Sequence, residues 1–400
     1  MQDPINIFDP DVRANPYPSY ARMRLEGPVQ QVEPGGFWAV SRAADVEFVL
    51  KNPQIFCSSG FEPIFKPAWL PHNPMGDSML AKDGPAHTKL RALVSSVFTP
   101  RALARLEPRI HATCAEVAEH LAVIREGDFL DELCTRVPGL VIADILGLDR
   151  ELQSKFKRWV NHFALVSPTH PGDEVADAVR ATIRELEGAF AEVISARRSA
   201  PRDDIVSNLI VAKIDGNGLA DEEIIAFLFL LLSAAFETTG HFFSNMMLDF
   251  DQRPEVFTQL REDPQQIPAY VDELLRKEPP AHNIFRITAI DTELGGVSLP
   301  RGSMVMVILA SANRDPARFA EPDRFDATRA SQAGFTFGLG VHHCLGASLA
   351  RLEGRIMIKE LATRFVRFEK LPGEIQWNLA IHVRGPVTLP FRAIPAPPAP

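Results

Sequence analysis

A glycine-rich turn carries one cysteine, Cys344, in the run Phe337-Gly-Leu-Gly-Val-His-His-Cys-Leu-Gly-Ala-Ser-Leu-Ala350. Gly338 and Gly340 lack a Cβ, so they can take positive φ or let a flat cofactor lie against the backbone, and Gly346 does the same beyond the cysteine. After the cysteine, Leu345, Leu349, Leu352 and Ile356 recur at three- and four-residue spacing, which predicts a helix whose N-terminus points at the sulfur. Free N–H groups and the positive dipole end there favour thiolate over thiol. His342 is placed to donate to an anionic group and Phe337 to cover one side of a ring.

Three plainer readings compete with a thiolate ligand. A lone cysteine is first a core thiol, but the surrounding glycines and histidines are not core composition. A zinc site on His342, His343 and Cys344 would need adjacent residues to converge on one tetrahedral ion, and the sequence holds no Cys-x-x-Cys partner. Gly338-x-Gly340 lacks the third glycine of a dinucleotide fingerprint.

A second stretch, Ile224 to Phe236, holds only apolar or small residues and stops at Glu237-Thr238-Thr239-Gly240. It is shorter than the about 20 residues a bilayer needs, so it predicts a helix buried all round in a large domain. Glu237 and Thr238 are costly to bury there without work or partners. A hydroxyl beside a carboxylate is the pairing that delivers a proton without flooding a site with water. Glu273 and Arg276 stand at i, i+3 on one predicted helical face, within reach of a bidentate charge-assisted contact.

Taken together these segments resemble the cytochrome P450 monooxygenases. Phe337, Gly340, His342, Cys344 and Gly346 match that family's haem-binding signature, Ala234-Ala-Phe-Glu-Thr238 its distal helix, and Glu273-Leu-Leu-Arg276 its Glu-x-x-Arg pair. Ala235 stands where glycine is usual. Shorter matches run along the chain at Asn15 to Tyr20, Asp83 to Arg91, Phe98 to Arg101, Ala312 to Pro316 and Pro322 to Asp326. The resemblance implies a mainly α, single-domain cytochrome P450 fold with a minor β region, with a haem-thiolate domain over residues 1–393 and a proline-rich tail over 394–400.

It also implies roles. Cys344 would ligate the iron of haem b, and a thiolate pushes electron density that favours O–O cleavage of dioxygen, the co-substrate. Thr238 and Glu237 would be catalytic, as hydroxyl and proton path. His87, Arg91, Arg286 and His342 would meet the haem propionates, and Glu273 with Arg276 would form a buried lock completed near Arg324. The substrate pocket would draw on Leu230, Ala234, Ile284 and Phe285, on the 61–80 and 163–171 stretches and on the region of Ile381, with Lys66, His72 or His282 as anchors for a carboxylate. Because most of these are apolar, the expected substrate is a small or medium hydrophobic molecule, hydroxylated or oxidatively dealkylated.

With no flavin or dinucleotide fingerprint in the chain, electrons are expected from a ferredoxin and a ferredoxin reductase, docking near Lys89, Arg91, Arg351 and Arg355. Two other classes stay open: a haem-thiolate enzyme that uses peroxide or rearranges its substrate, and a non-catalytic haem sensor. Glu237-Thr238 argues against the first, and no appended output segment is visible for the second.

The elements that must position these residues are mostly helical. Periodicity predicts helices over 103–124, 174–197 and 221–249, and strands near 36–40 and 305–308. Of 400 residues 46% are hydrophobic, enough for a large core, and a net charge of −9 gives no basic footprint for nucleic acid. The polar, acidic opening lacks the pattern of a signal or anchor, so a cytoplasmic protein without a membrane anchor is expected. Cys57, Cys114 and Cys134 show no paired spacing and read as plain thiols of a reducing compartment.

Overall fold

The computed structural model describes residues 5–95, 98–148, 152–213, 216–329 and 334–397. It divides into two compact units. One comprises Met1–Phe56, Ile110–Val137 and Thr238–Pro400, and the other Cys57–Arg109 and Pro138–Glu237.

The first unit holds the β structure. Strands β1 (Val29–Val32), β2 (Phe37–Val40), β3 (Phe56–Cys57), β5 (Asn283–Thr288) and β8 (Met304–Ile308) form a sheet in the order β1-β2-β8-β5-β3. The parallel pair β2 and β8 sets Trp38 against Val305 and Val40 against Val307, while antiparallel β5 sets Ile284 against Val307 and Phe285 against Met306. Side chains alternate faces along a strand, so the sheet carries two cores. Val40, Val305 and Val307 pack with helix α1 (Ala43–Lys51) and Phe56, whereas Ala39, Met306 and Ile308 pack with Ile5, Tyr20 and Met23. Between β5 and β8 lies the hairpin of β6 (Thr292–Leu294) and β7 (Val297–Leu299).

A three-stranded sheet joins β4 (Glu126–Asp128), β10 (Pro390–Pro395) and β9 (Phe365–Lys370), with β10 in the middle. Ile394 and Pro395, expected in the irregular tail, are the last residues of β10, in register with Arg367 and Phe365. Only Pro390 to Arg392 also face β4, so Pro395 lies where no second ladder needs an N–H from it. The rest of the expected tail includes residues 398–400, which lie outside the described residues.

Helices carry the remainder. In the second unit are α2 (Gly84–Ser95), α4 (Asp173–Ser199) and an aromatic core in which Phe163 and Phe190 meet Phe229, and Phe156 meets Phe236 and Trp159. Arg197 and Asp204, both 5% exposed, form a buried ion pair there. Helices α3 (Pro100–Ile124) and α5 (Asp221–Gln252) each run across the division of the chain, and α6 (Ile267–Lys277) and α7 (Ala347–Arg364) belong to the first unit. The predicted helices are α3, α4 and α5, each extended by one to three residues, and the predicted strands are β2, one residue shorter, and β8, one residue longer. Helix α5 is long and apolar enough to cross a membrane, yet 61% of its most apolar window is buried inside the protein.

Candidate active site

The turn before Cys344 is shaped by its glycines. Gly338 and Gly340 have φ of +66° and +72°, in the left-handed region that strains any residue with a Cβ. At Gly340 a Cβ would also lie 2.6 Å from the carbonyl oxygen of Leu50 on α1, so no other residue fits without moving backbone. Gly338 N–H donates to Phe335 O, the Cys344 N–H donates to Phe337 O (both 2.8 Å), and Gly340 to His342 form one 3₁₀ turn. The Cys344 side chain is exposed, three residues before the first residue of α7, whose N-cap is Gly346. None of the four cysteines, all among the described residues, is in a disulfide. The side of the Phe337 ring is covered by the Arg351 guanidinium at 4.4 Å, itself held by Asp272 at 2.5 Å.

The loop is pinned to α6 from below. The Thr336 hydroxyl donates to Leu275 O (2.7 Å), and Asn313 Oδ1 accepts from Phe335 N–H (2.6 Å) while its Nδ2 donates to Thr336 (3.0 Å). Asn313 also accepts, through its carbonyl, from Arg276 Nη1 at 2.7 Å. Sequence reasoning placed Asn313 only in a matching segment. Its position in the turn Asn-Arg-Asp-Pro316 was the available sign of an amide that organises backbone.

Glu273 and Arg276 are both fully buried and form a bidentate pair with two contacts of 2.7 Å. The third member is found in the turn that follows Arg324. Arg324 contributes its carbonyl, at 3.4 Å from Arg276 Nη2, while its own guanidinium is 60% exposed on Glu321 and Asp326. The side chain that reaches Glu273 is Arg329, at 3.2 Å and 10% exposed. Arg329 also donates to the carbonyls of Ala320, Glu321 and Arg324, so its fork organises the whole 320–329 turn.

On β5, Arg286 is buried and donates to Phe285 O at 2.7 Å. Ile284 packs with the cluster that Leu339 of the cysteine loop also joins, and Phe285 packs with Phe37 on the opposite face. Adjacent strand residues point to opposite faces, so Ile284 stands on the face of the cysteine loop and Phe285 on the other.

Helix α5 is not buried all round. Leu230, Ser233, Ala234, Glu237 and Thr238 are partly or fully exposed, at the three- and four-residue spacing of a helical stripe, with Ala235 half-buried beside them. The residues assigned to oxygen and substrate chemistry thus share one face of one helix. In the second unit His87 is 3% exposed on α2, and Arg91 follows one turn later on that helix, half-buried; Lys89 is exposed.

The expected carboxylate anchors are otherwise engaged. Lys66 pairs with Asp77 at 2.5 Å and His72 with Glu187 at 2.6 Å. His282 is buried between Tyr17 and Tyr20, and desolvation, with Arg384, Arg13 and Arg314 nearby, holds its imidazole well below the ordinary histidine range.

These residues fit a thiolate-ligated haem. An exposed sulfur follows a loop whose backbone approach at Gly340 tolerates no side chain, and Arg286, in the same unit, is a buried cation. A sequence model described as Cytochrome P450 matches residues 141–378. Cytochrome P450 107B1 of Saccharopolyspora erythraea is 36% identical over 96% of each chain, and vitamin D(3) 25-hydroxylase of Pseudonocardia autotrophica is 36% identical over 89% of this chain and 88% of that one. The solved structure of cytochrome P450 CYP109Q5 from Chondromyces apiculatus superposes with a TM-score of 0.88 at 35% identity, covering 99% of this chain and 100% of that one.

Proposed function

This chain belongs to the cytochrome P450 family, whose members are haem-thiolate monooxygenases, and we propose that it hydroxylates or oxidatively dealkylates a small or medium hydrophobic molecule in the cytoplasm, with electrons from a ferredoxin and its reductase. The observation that carries this reading is the cysteine loop, in which Gly338 and Gly340 place an exposed Cys344 just before the N-terminus of α7.

Cys344 is the thiolate ligand of haem b, with Phe337, Gly340 and Gly346 bordering it, and His87, Arg91, Arg286 and His342 are the donors for the propionates. Bound haem supplies the activation of dioxygen. Thr238 holds a proton at its Oγ1, and the Glu237 carboxylate, one residue earlier on the same exposed stripe, replenishes it. Leu230, Ala234 and Ile284 give the substrate an apolar wall. The engagement of Lys66 and His72 by acidic partners supports a neutral substrate over a carboxylate. So does the likeness to a protein named for vitamin D(3), a largely hydrocarbon molecule. Of the four basic residues assigned to ferredoxin docking, Lys89 is the better candidate, being exposed on α2, whereas Arg351 is held by Asp272 and Phe337.

The test is turnover under isotopically labelled dioxygen with a ferredoxin, its reductase and the neutral compound that most strongly shifts the haem to high spin. One labelled oxygen atom is expected per hydroxylated product or, on dealkylation, in the aldehyde released. Unlabelled product formed only with peroxide would support the peroxide-using class instead. Thr238→Ala should lower the fraction of electrons recovered in product by about 10²-fold or less, the scale of losing one positioned proton donor; unchanged coupling would remove Thr238 from the proton path.

A further inference from the structure

His241 lies on α5 three residues after Thr238 and is 8% exposed. Its ring rests on the backbone of Gly385: a Cβ built at Gly385 would fall 1.8 Å from His241 Nδ1 and 2.3 Å from Cγ, a collision with a rigid ring. Gly385 has no need of glycine for its own φ, which is not in the left-handed region, so the ring is the reason for it. On its other edge the ring meets Asn378, whose Nδ2 is 3.1 Å from His241 Nε2. The amide is oriented by Arg13, whose Nη2 donates to Asn378 Oδ1 at 2.8 Å and to Asn378 O at 2.6 Å. With Oδ1 so engaged, Nδ2 is the amide atom turned to the histidine.

Asn378 and Gly385 are the two sides of one hairpin, closed by Asn378 N–H donating to Gly385 O (2.9 Å) and by a bridge between Trp377 and Pro386. The same hairpin is tied to the start of β5: Arg384 N–H donates to Pro280 O, His282 N–H to His382 O, and Asn283 Nδ2 to Ile381 O. At its tip Leu379, next to Asn378, is 69% exposed.

We propose that His241 is a positioning residue whose ring, fitted into the space left by Gly385 and bonded to Asn378, sets where the 377–386 hairpin stands relative to Thr238 and so which substrates are accepted. The specificity part rests on the reading above that this hairpin borders the substrate. Nothing in the cysteine loop is involved.

The test uses four holoenzymes: the parent, Gly385→Ala, His241→Ala and the double variant. Each is assayed for thermal midpoint, and for dissociation constants of two neutral compounds of different shape, read by spin-state shift. Gly385→Ala alone should lower the midpoint and weaken binding about tenfold, because the methyl displaces the ring. The same change in the His241→Ala background should cost little, a coupling of about tenfold. His241→Ala alone should alter the ratio of the two dissociation constants, which a merely structural role would not move. Equal effects of Gly385→Ala with and without His241, in both assays, would overturn the proposal, as would an unaltered ratio in His241→Ala. If no compound shifts the parent's spin state, the substrate reading fails while the midpoints still decide the His241–Gly385 coupling.

Discussion

In the cysteine loop the backbone does most of the shaping over ten residues: two left-handed glycines, a 3₁₀ turn and two internal N–H···O bonds bring Cys344 to the front of α7. The 377–386 hairpin takes its shape from residues far away in the chain, with Arg13 365 positions from Asn378 and His241 137 positions from it. Their charges are handled differently too. Below the cysteine loop Glu273 is matched by Arg276 and Arg329, so a buried carboxylate faces two guanidiniums. Around the hairpin, Arg13 and Arg384 are satisfied by carbonyl oxygens and one amide, and Arg384 also stacks on Trp377 at 3.4 Å. A region that must hold a ligand atom in one place is built from local constraints and closed by matched charge, while one that tunes a surface is built from long-range contacts.

Breaking the matched charge should have the largest effect. Glu273→Ala leaves two guanidiniums facing each other in a dry site, and a loss of about 3–5 kcal/mol is expected, with little holoenzyme recovered. Near-parent melting would show that the lock is not what holds the loop.

Glu353, on α7, sharpens the point because no ion pair forms to it among the described residues. Its Oε2 is buried with no hydrogen-bond partner among the described residues, and desolvation pushes its carboxyl up to about 8. Between the ordinary carboxylate range and that value the folded protein keeps the proton and the unfolded chain has lost it. Stability must therefore fall as pH rises from about 4.5 to 8, by at most about 1.4 kcal/mol per unit. Glu353→Gln should flatten this slope and melt higher than the parent at pH 8; parallel stability curves would contradict it.

Arg329→Ala should follow, at about 1.5–3 kcal/mol, since it removes charge-assisted bonds to Glu273 and to three carbonyls. Arg13→Ala should cost less, about 1 kcal/mol, because no buried carboxylate loses a partner. Arg324→Ala should stay within about 0.5 kcal/mol, its guanidinium being exposed. Chemical unfolding of the three variants checks the order, and Arg324 equal to Arg329 would reverse the assignment of the lock.

This ranking also marks where the sequence was legible. The cysteine turn could be read because its signals are contiguous: glycines, a histidine and helical spacing within about twenty residues. The Glu273–Arg276 pair could be read because i, i+3 spacing is itself geometry. Arg329 could not, since Arg324 and Arg329 are both arginines in one short turn and only the folded turn shows which side chain points inward. Strand alternation could have separated Ile284 from Phe285, had the register of β5 been known. The exposed stripe of α5 was masked by residue type, because Leu230 and Ala234 look the same on a buried face as on an open one. His241 and Gly385 carried no signal at all, as a histidine after a glycine and a glycine before a proline are each ordinary alone.

The most direct test of the central claim is the absorbance of the reduced, carbon monoxide-bound holoenzyme, compared with Cys344→His. The parent should show the long-wavelength Soret band characteristic of thiolate opposite carbon monoxide, and the variant should shift to the shorter-wavelength band of imidazole ligation. A parent spectrum of the imidazole type, or one unchanged by the substitution, would contradict Cys344 as the ligand.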